Sequence, residues 1–275
     1  MHDLLESVQH IAVLAGQEIL DVYHDVSPID VTTKDDASPL TQADTRANNV
    51  IVEQLQSLDS AIPILSEEIE RPEFATRATW ERYWLVDPLD GTKEFINRNG
   101  EFTVNIALIE DGEPVLGVVH VPVSGSTYFG GSSVAGAWKK LGVEDPLPLR
   151  TSSIGPAALS MRLVASRSHR GELVDRLVEQ AGSQFENIET MSMGSSLKLC
   201  LVAEGSADLY PRLAPTSEWD TAAAHAVVRA AGGEVVTTDF KPLRYNQKES
   251  LLNPHFLVIG DQQFDWQALL APALA

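Results

Sequence analysis

Apolar residues return at three- and four-residue intervals at the start of the chain, through Leu4, Val8, Ile11, Ala12, Ala15, Ile19 and Val22. That spacing keeps them on one face of an α-helix, so an amphipathic helix of about two dozen residues is predicted, laid against the core. A polar segment over residues 27–39 breaks the pattern. Thr41 then reads as the cap of a second helix, with Asp44 three residues later in its first turn. Two short apolar runs follow with strand length. Ile62-Pro63-Ile64-Leu65 runs into Ser66-Glu67-Glu68, and Tyr83-Trp84-Leu85-Val86 runs into Asp87. Both predicted strands therefore end in carboxylates. Over residues 102–136, strand-like runs alternate with the turn signals Glu110-Asp111-Gly112-Glu113 and Pro122-Val123-Ser124-Gly125, which is the pattern of an antiparallel meander.

Residues 141–155 mix Gly, Pro, Ser and Thr, and a domain boundary is expected near residue 155. Residues 1–155 read as an α+β domain. Residues 156–275 read as an α/β domain: Leu163-Val164-Ala165, helices near 172–180 and 195–203, the strand Asp208-Leu209-Tyr210, a helix over 221–231 and a strand over 234–236 alternate. A last short helix is predicted over 262–270, ahead of an Ala-rich end.

Composition narrows the function classes. With 44% hydrophobic and 21% charged residues in 275, the chain has the make-up of a folded globular protein, which excludes wholesale disorder and fibrous repeats. A net charge of −19 argues against a general grip on a DNA or RNA polymer, so any phosphate site has to be built locally. The one cysteine, Cys200, leaves no intrachain disulfide and no thiolate cluster, and its surroundings in sequence suggest packing rather than reactivity. The N-terminus lacks the basic start and unbroken apolar stretch of a secretory signal, and no run is long enough to span a bilayer. A soluble, cytoplasmic protein is the expectation.

The chemistry concentrates where strands end. Asp87-Pro88-Leu89-Asp90-Gly91-Thr92 sends two carboxylates off a sheet edge around a Pro-fixed turn. Mg²⁺ takes octahedral oxygen ligands and keeps several waters, so Asp87, Asp90, a carbonyl between them and a carboxylate from elsewhere suffice, with Glu67 the obvious candidate. Gly91 relieves crowding, and a helix opening there turns its first N–H groups toward an anion. Taken singly, Asp87 to Gly91 are turn residues, Asp220 in Trp219-Asp220-Thr221-Ala222-Ala223 is a helix cap, Asp44 is a capping-box partner, and Glu67 is a solvated carboxylate. Their company changes the balance.

Leu65-Ser66-Glu67-Glu68, the segment 84–92 and Trp219-Asp220-Thr221-Ala222-Ala223 resemble, in order and spacing, the three signature segments of the lithium-sensitive, magnesium-dependent phosphatases of the inositol monophosphatase superfamily. Within it, the segment 90–95, Asn99-Gly100-Glu101-Phe102-Thr103-Val104-Asn105 and Gly194-Ser195-Ser196-Leu197-Lys198 resemble the bacterial 3′(2′),5′-bisphosphate nucleotidases. The likeness runs from Leu4 to beyond Pro254. It implies a layered αβαβα sandwich with the site between the two halves. It implies two or three Mg²⁺ ions on Glu67, Asp87, the Leu89 carbonyl, Asp90 and Asp220, with Glu68 outside that set. Asp44 and Thr92 would orient and activate the attacking water, and Glu67 would share in catalysis. Glu67, Leu89, Asp90, Gly91, Thr92 and Asp220 would also meet the substrate. Without a cation, five convergent carboxylates repel one another, so Mg²⁺ is expected to raise the melting temperature.

A nucleotide bisphosphate carries a second phosphate that needs its own donors. Ser195 and Lys198 sit about one turn apart at a helix start, and Arg212 follows the strand Asp208-Leu209-Tyr210-Pro211. By resemblance, Ser195, Lys198 and Arg212 contact the nucleotide and its distal phosphate, His169 faces the base or ribose, and Lys34 belongs to a flap over the site. The reading is hydrolysis of adenosine 3′,5′-bisphosphate to AMP and phosphate, with 3′-phosphoadenylyl sulfate also accepted, in sulfate assimilation. The alternatives are an inositol monophosphatase or related sugar phosphatase with the same metal chemistry, and a cation or nucleotide sensor without turnover. The resemblance also implies peripheral association with the cytoplasmic face of the inner membrane, although no basic amphipathic helix in the sequence accounts for it. Oligomeric state has no signature in the sequence.

Overall fold

The structure is a computed structural model describing residues 2–25, 31–33, 39–166 and 171–274. The opening apolar stripe forms α1 (His2–His24), which buries Leu5, Val8, Ala12, Ala15 and Ile19. β1 (Val31–Thr33) pairs antiparallel with β2 (Pro39–Thr41). Thr41 caps α2 (Gln42–Leu58) through the expected capping box: its hydroxyl accepts the Ala43 N–H at 3.2 Å, and Asp44 Oδ2 accepts the Thr41 N–H at 2.8 Å.

β3 (Ile64–Ser66), the single turn α3 (Phe74–Arg77), β4 (Arg82–Asp90) and α4 (Thr92–Ile96) come next. The meander follows as β5 (Thr103–Glu110), β6 (Glu113–Val121), β7 (Ser126–Gly131), β8 (Gly136–Leu141) and β9 (Leu147–Pro148). All but β1 and β2 join one sheet in the order β3-β4-β5-β6-β7-β8-β9, antiparallel except for the β3–β4 pair. Both faces are covered, which explains the unbroken apolar runs. Along β4, Trp84 and Val86 pack with α1 and α2, while Tyr83 and Leu85 point into the opposite layer.

The second half supplies β10 (Ser160–Ser166), α5 (Glu172–Ala181), β11 (Asn187–Met193), α6 (Leu197–Ala203), β12 (Leu209–Arg212), α7 (Ala222–Ala231), β13 (Glu234–Thr237), β14 (Phe256–Ile259) and α8 (Trp266–Leu274). Its five-stranded sheet runs β11-β10-β12-β14-β13, parallel around β10 and antiparallel around β14. Leu177, Ala181, Trp266 and Leu270 of α5 and α8 cover its outer face. Between the sheets lie α6 and α7, whose Val202, Ala203, Ala223 and Val227 pack with residues of both. The layers are therefore helix, sheet, helix, sheet, helix. Alanines let α7 come very close to the first sheet, and a Cβ on Gly117 of β6 would stand 2.0 Å from the Ala223 carbonyl oxygen, so only glycine fits there.

Two boundaries differ from the sequence reading. The last helix starts at Trp266 rather than at residue 262. The Gln262 amide donates to the Gly232 and Gly233 carbonyls at 3.0 and 2.8 Å, and Asp261 Oδ1 accepts the Gln263 N–H at 2.8 Å, which holds a turn where periodicity suggested helix. Likewise α6 begins at Leu197, because Ser195 sits at a positive φ of 42° that no helix continues.

Candidate active site

Because β3 and β4 run parallel with Ser66 opposite Val86, Glu67 leaves the end of β3 beside Asp87 of β4. Glu67 comes directly after β3, its N–H donating to the Val86 carbonyl at 3.1 Å. Asp87 is buried in β4, and its Oδ1 accepts the Leu89 N–H at 3.1 Å. A shift in register against β5 between Asp87 and Asp90 bends the strand end outward. Gly91 then takes φ +95°, and a side chain there would crowd the Glu101 carbonyl at 3.2 Å and Ser195 Cβ at 3.3 Å.

Thr92 opens α4, and its hydroxyl stands 3.5 Å from both Asp44 Oδ1 and the Leu89 carbonyl oxygen. The other oxygen of Asp44 is held by the Thr41 N–H at 2.8 Å and the Thr41 hydroxyl at 2.7 Å. Asp44 is thus both a capping-box partner and a neighbour of Thr92, one oxygen for each. Asp220 arrives from the second half at the end of a 3₁₀ turn, Glu218–Asp220, where its Oδ2 accepts the Ser217 N–H at 3.0 Å. Thr221, not Asp220, occupies the cap position of α7.

An open cleft is lined by Asp90, Gly91 and Lys93 from the first half and by Ser195, Lys198, Arg212 and Asp220 from the second. Lys198 donates to the Ser195 carbonyl at 2.6 Å and to the Met193 carbonyl at 3.4 Å, and its ammonium lies 5.8 Å from the centre of the Tyr210 ring. Arg212 donates from Nη2 to the Pro215 carbonyl at 2.8 Å, while its Nε is buried without a hydrogen-bond partner among the described residues. His169 and Lys34 lie outside the described residues. Cys200 is buried, and burial pushes its thiol well above the ordinary range, so it is inert.

Loss of water dominates the titration of the cleft. It lifts Asp90 to about 6, against the Lys198 charge and the Ser196 N–H, with Glu67 adding to the rise. Asp220 is raised well above its ordinary value by burial first, then by Asp90 and Glu67. Lys198 is brought down to about 8 by burial, which the Asp90 charge opposes. Glu67, Asp90 and Asp220 therefore feel one another across the cleft. Among the described residues, no three His, Cys, Asp or Glu side chains are arranged as a ready-made metal-ligand group. In donor chemistry the acidic end fits a hard divalent cation, being all oxygen, partly desolvated and charged in excess.

The sequence reading quoted Ser196, Thr103 and Asn105 within its motif segments but gave them no role. Ser196 donates its N–H to Asp90 Oδ2 at 2.5 Å, and its hydroxyl joins Asn105 and Thr103. A signal was present, since paired serines ahead of an apolar helical run are cap candidates.

The sequence matches the inositol monophosphatase family over residues 1–273. It is 49% identical to the 3′(2′),5′-bisphosphate nucleotidase CysQ of Salmonella typhimurium over 256 residues, covering 93% of this chain and 99% of that one. The Escherichia coli protein of the same name is also 49% identical, over 257 residues and the same shares. Among solved structures, CysQ from Bacteroides thetaiotaomicron superposes with a TM-score of 0.82 at 43% identity, covering 94% of this chain and 98% of that chain. Matched along nearly its whole length, and folded in the same layers, the chain belongs to the inositol monophosphatase family.

Proposed function

We propose that this enzyme removes the 3′-phosphate of adenosine 3′,5′-bisphosphate, giving AMP and phosphate, and accepts 3′-phosphoadenylyl sulfate as well. The observation that carries the reading is a cleft that brings both signs of charge together: Asp90 and Asp220 line it beside Lys198 and Arg212, whose Nε has no hydrogen-bond partner among the described residues. With cations held on the carboxylates, one phosphate of the substrate would be met there and Lys198 and Arg212 would be left for the second. The relatives named as bisphosphate nucleotidases support the same substrate class.

In this reading Glu67, Asp87, Asp90, Asp220 and the Leu89 carbonyl would hold two or three Mg²⁺ ions. Bound Mg²⁺ supplies the positive charge that lowers the cost of in-line attack on phosphorus and of the departing oxygen. Thr92 orients the attacking water through its hydroxyl, and Asp44 Oδ1, 3.5 Å behind it, receives the proton. Because Asp44 Oδ2 is already fixed by Thr41, the basic oxygen is held toward Thr92 rather than left to rotate. Ser195, Lys198 and Arg212 anchor the 5′-phosphate, with His169 at the base or ribose. No described helix is long and apolar enough to cross a membrane. We place the reaction in the cytoplasm, in the service of sulfate assimilation.

The test is phosphate release with Mg²⁺ from adenosine 3′,5′-bisphosphate and, in parallel, from inositol 1-phosphate, each with and without lithium. Preference for the bisphosphate is expected. Preference for inositol 1-phosphate would keep the acidic end and discard the substrate, and release from neither would favour a sensor.

A further inference from the structure

Asp90 leaves the first sheet, yet the bonds that set its orientation reach across to the second half. Ser196, buried between β11 and α6, donates its backbone N–H to Asp90 Oδ2 at 2.5 Å. Its hydroxyl donates to Asn105 Oδ1 at 2.9 Å and lies 2.9 Å from Thr103 Oγ1. Since the Asn105 oxygen can only accept, the Ser196 proton lies on that bond, and the Thr103 hydroxyl must be the donor to Ser196. Asn105 is thereby held in the orientation that sends Nδ2 back to Asp90 Oδ2, at 3.4 Å. Two donors thus converge on one oxygen of Asp90. The network is buried and internally satisfied, which makes it stiff.

We propose that Ser196 is a positioning residue for the cation-binding end of the cleft: through its N–H and through Asn105 it fixes the Asp90 carboxylate so that the remaining oxygen faces the cleft. Asp90 then needs little reorganisation when a cation binds. The hydroxyls of Ser196 and Thr103 are buried against each other and Asn105. Their effect passes through Asn105 and Asp90.

Isothermal titration of the substrate-free protein with Mg²⁺ tests this without turnover. Removing a partner that orients a metal ligand typically weakens metal affinity about tenfold or more. Ser196→Ala is expected to weaken Mg²⁺ uptake by that factor and to raise the Mg²⁺ concentration for half-maximal phosphate release equally, with kcat at saturating Mg²⁺ within about threefold of wild type. Thr103→Val, isosteric and gentler on folding, should move both values the same way by less. The Ser196→Ala/Asn105→Ala pair should lose no more than the worse single variant, because both act through one oxygen. The inference rests on the cation-binding part of the reading above and not on the nucleotide. If wild type takes up no Mg²⁺, that reading itself fails. If wild type binds Mg²⁺ and both Ser196→Ala and Thr103→Val bind it as tightly, or lose kcat that excess Mg²⁺ does not restore, the positioning role is overturned.

Discussion

Asp90 and Lys198 line the same cleft, and withdrawal from water moves them in opposite directions, the carboxyl up to about 6 and the ammonium down to about 8. Each is pushed toward its neutral form, and each is partly held in its charged form by the other. Glu67 raises both Asp90 and Asp220, so the carboxyls oppose one another's ionisation. Arg212 Nε has no hydrogen-bond partner among the described residues. The carboxylates therefore suit a cation, and Lys198 with Arg212 suits an anion, side by side in one cleft.

The largest way to break this contrast is to remove charge from the acidic end. Asp90→Asn or Asp220→Asn should lower kcat/KM by about a thousandfold, measured by phosphate release at saturating Mg²⁺. The same variants should melt higher than wild type in the absence of Mg²⁺, because a neutral amide relieves the repulsion. A lower Mg²⁺-free melting temperature would show that the carboxylates are not in conflict.

Asp44→Asn should lower kcat by about a hundredfold and leave KM close to wild type, as loss of a proton acceptor does. From the third helical position the asparagine amide oxygen can still accept the Thr41 N–H, so the melting temperature should move little. A large loss of stability with retained kcat would reduce Asp44 to its capping role.

His120 sharpens the comparison as a group buried without an opposite charge. It bonds Thr127 Oγ1 at 2.9 Å, and burial lowers its pKa to about 4, the Ser126 backbone opposing this only in part. Its folded pKa lies below the unfolded value, so its contribution is fully present above about 6.5 and is lost as pH falls toward 4. The loss should reach on the order of 2 kcal/mol by pH 5. Denaturant titrations at several pH values check this: His120→Gln should lie closer to wild type at pH 5 than at pH 7.5. Parallel stability curves would contradict it.

The acidic end was legible in the sequence because each carboxylate follows a local signal: an apolar strand before Glu67 and Asp87, Pro88 and Gly91 around Asp90, and a Trp-Asp pair opening an Ala-rich helix. The apolar pattern alone showed an α+β half and an α/β half, and the five layers were implied only by the family resemblance. What escaped depends on contacts between distant segments. Ser196 meets Asn105 and Asp90 across 91 and 106 residues of chain. Arg77 looks like any surface arginine, yet it is buried and donates to Asn246 and to the carbonyls of Lys248 and Glu249. The start of α8 was misread because the Gln262 amide is spent on the Gly232 and Gly233 carbonyls, which periodicity cannot reveal.

The most direct test is the ratio of kcat/KM for adenosine 3′,5′-bisphosphate to that for inositol 1-phosphate, in wild type and in the Lys198→Ala/Arg212→Ala variant. The account predicts a strong wild-type preference for the bisphosphate that falls about a hundredfold in the variant, while inositol 1-phosphate turnover stays within a few-fold. A ratio that both proteins share would mean that Lys198 and Arg212 do not hold the second phosphate.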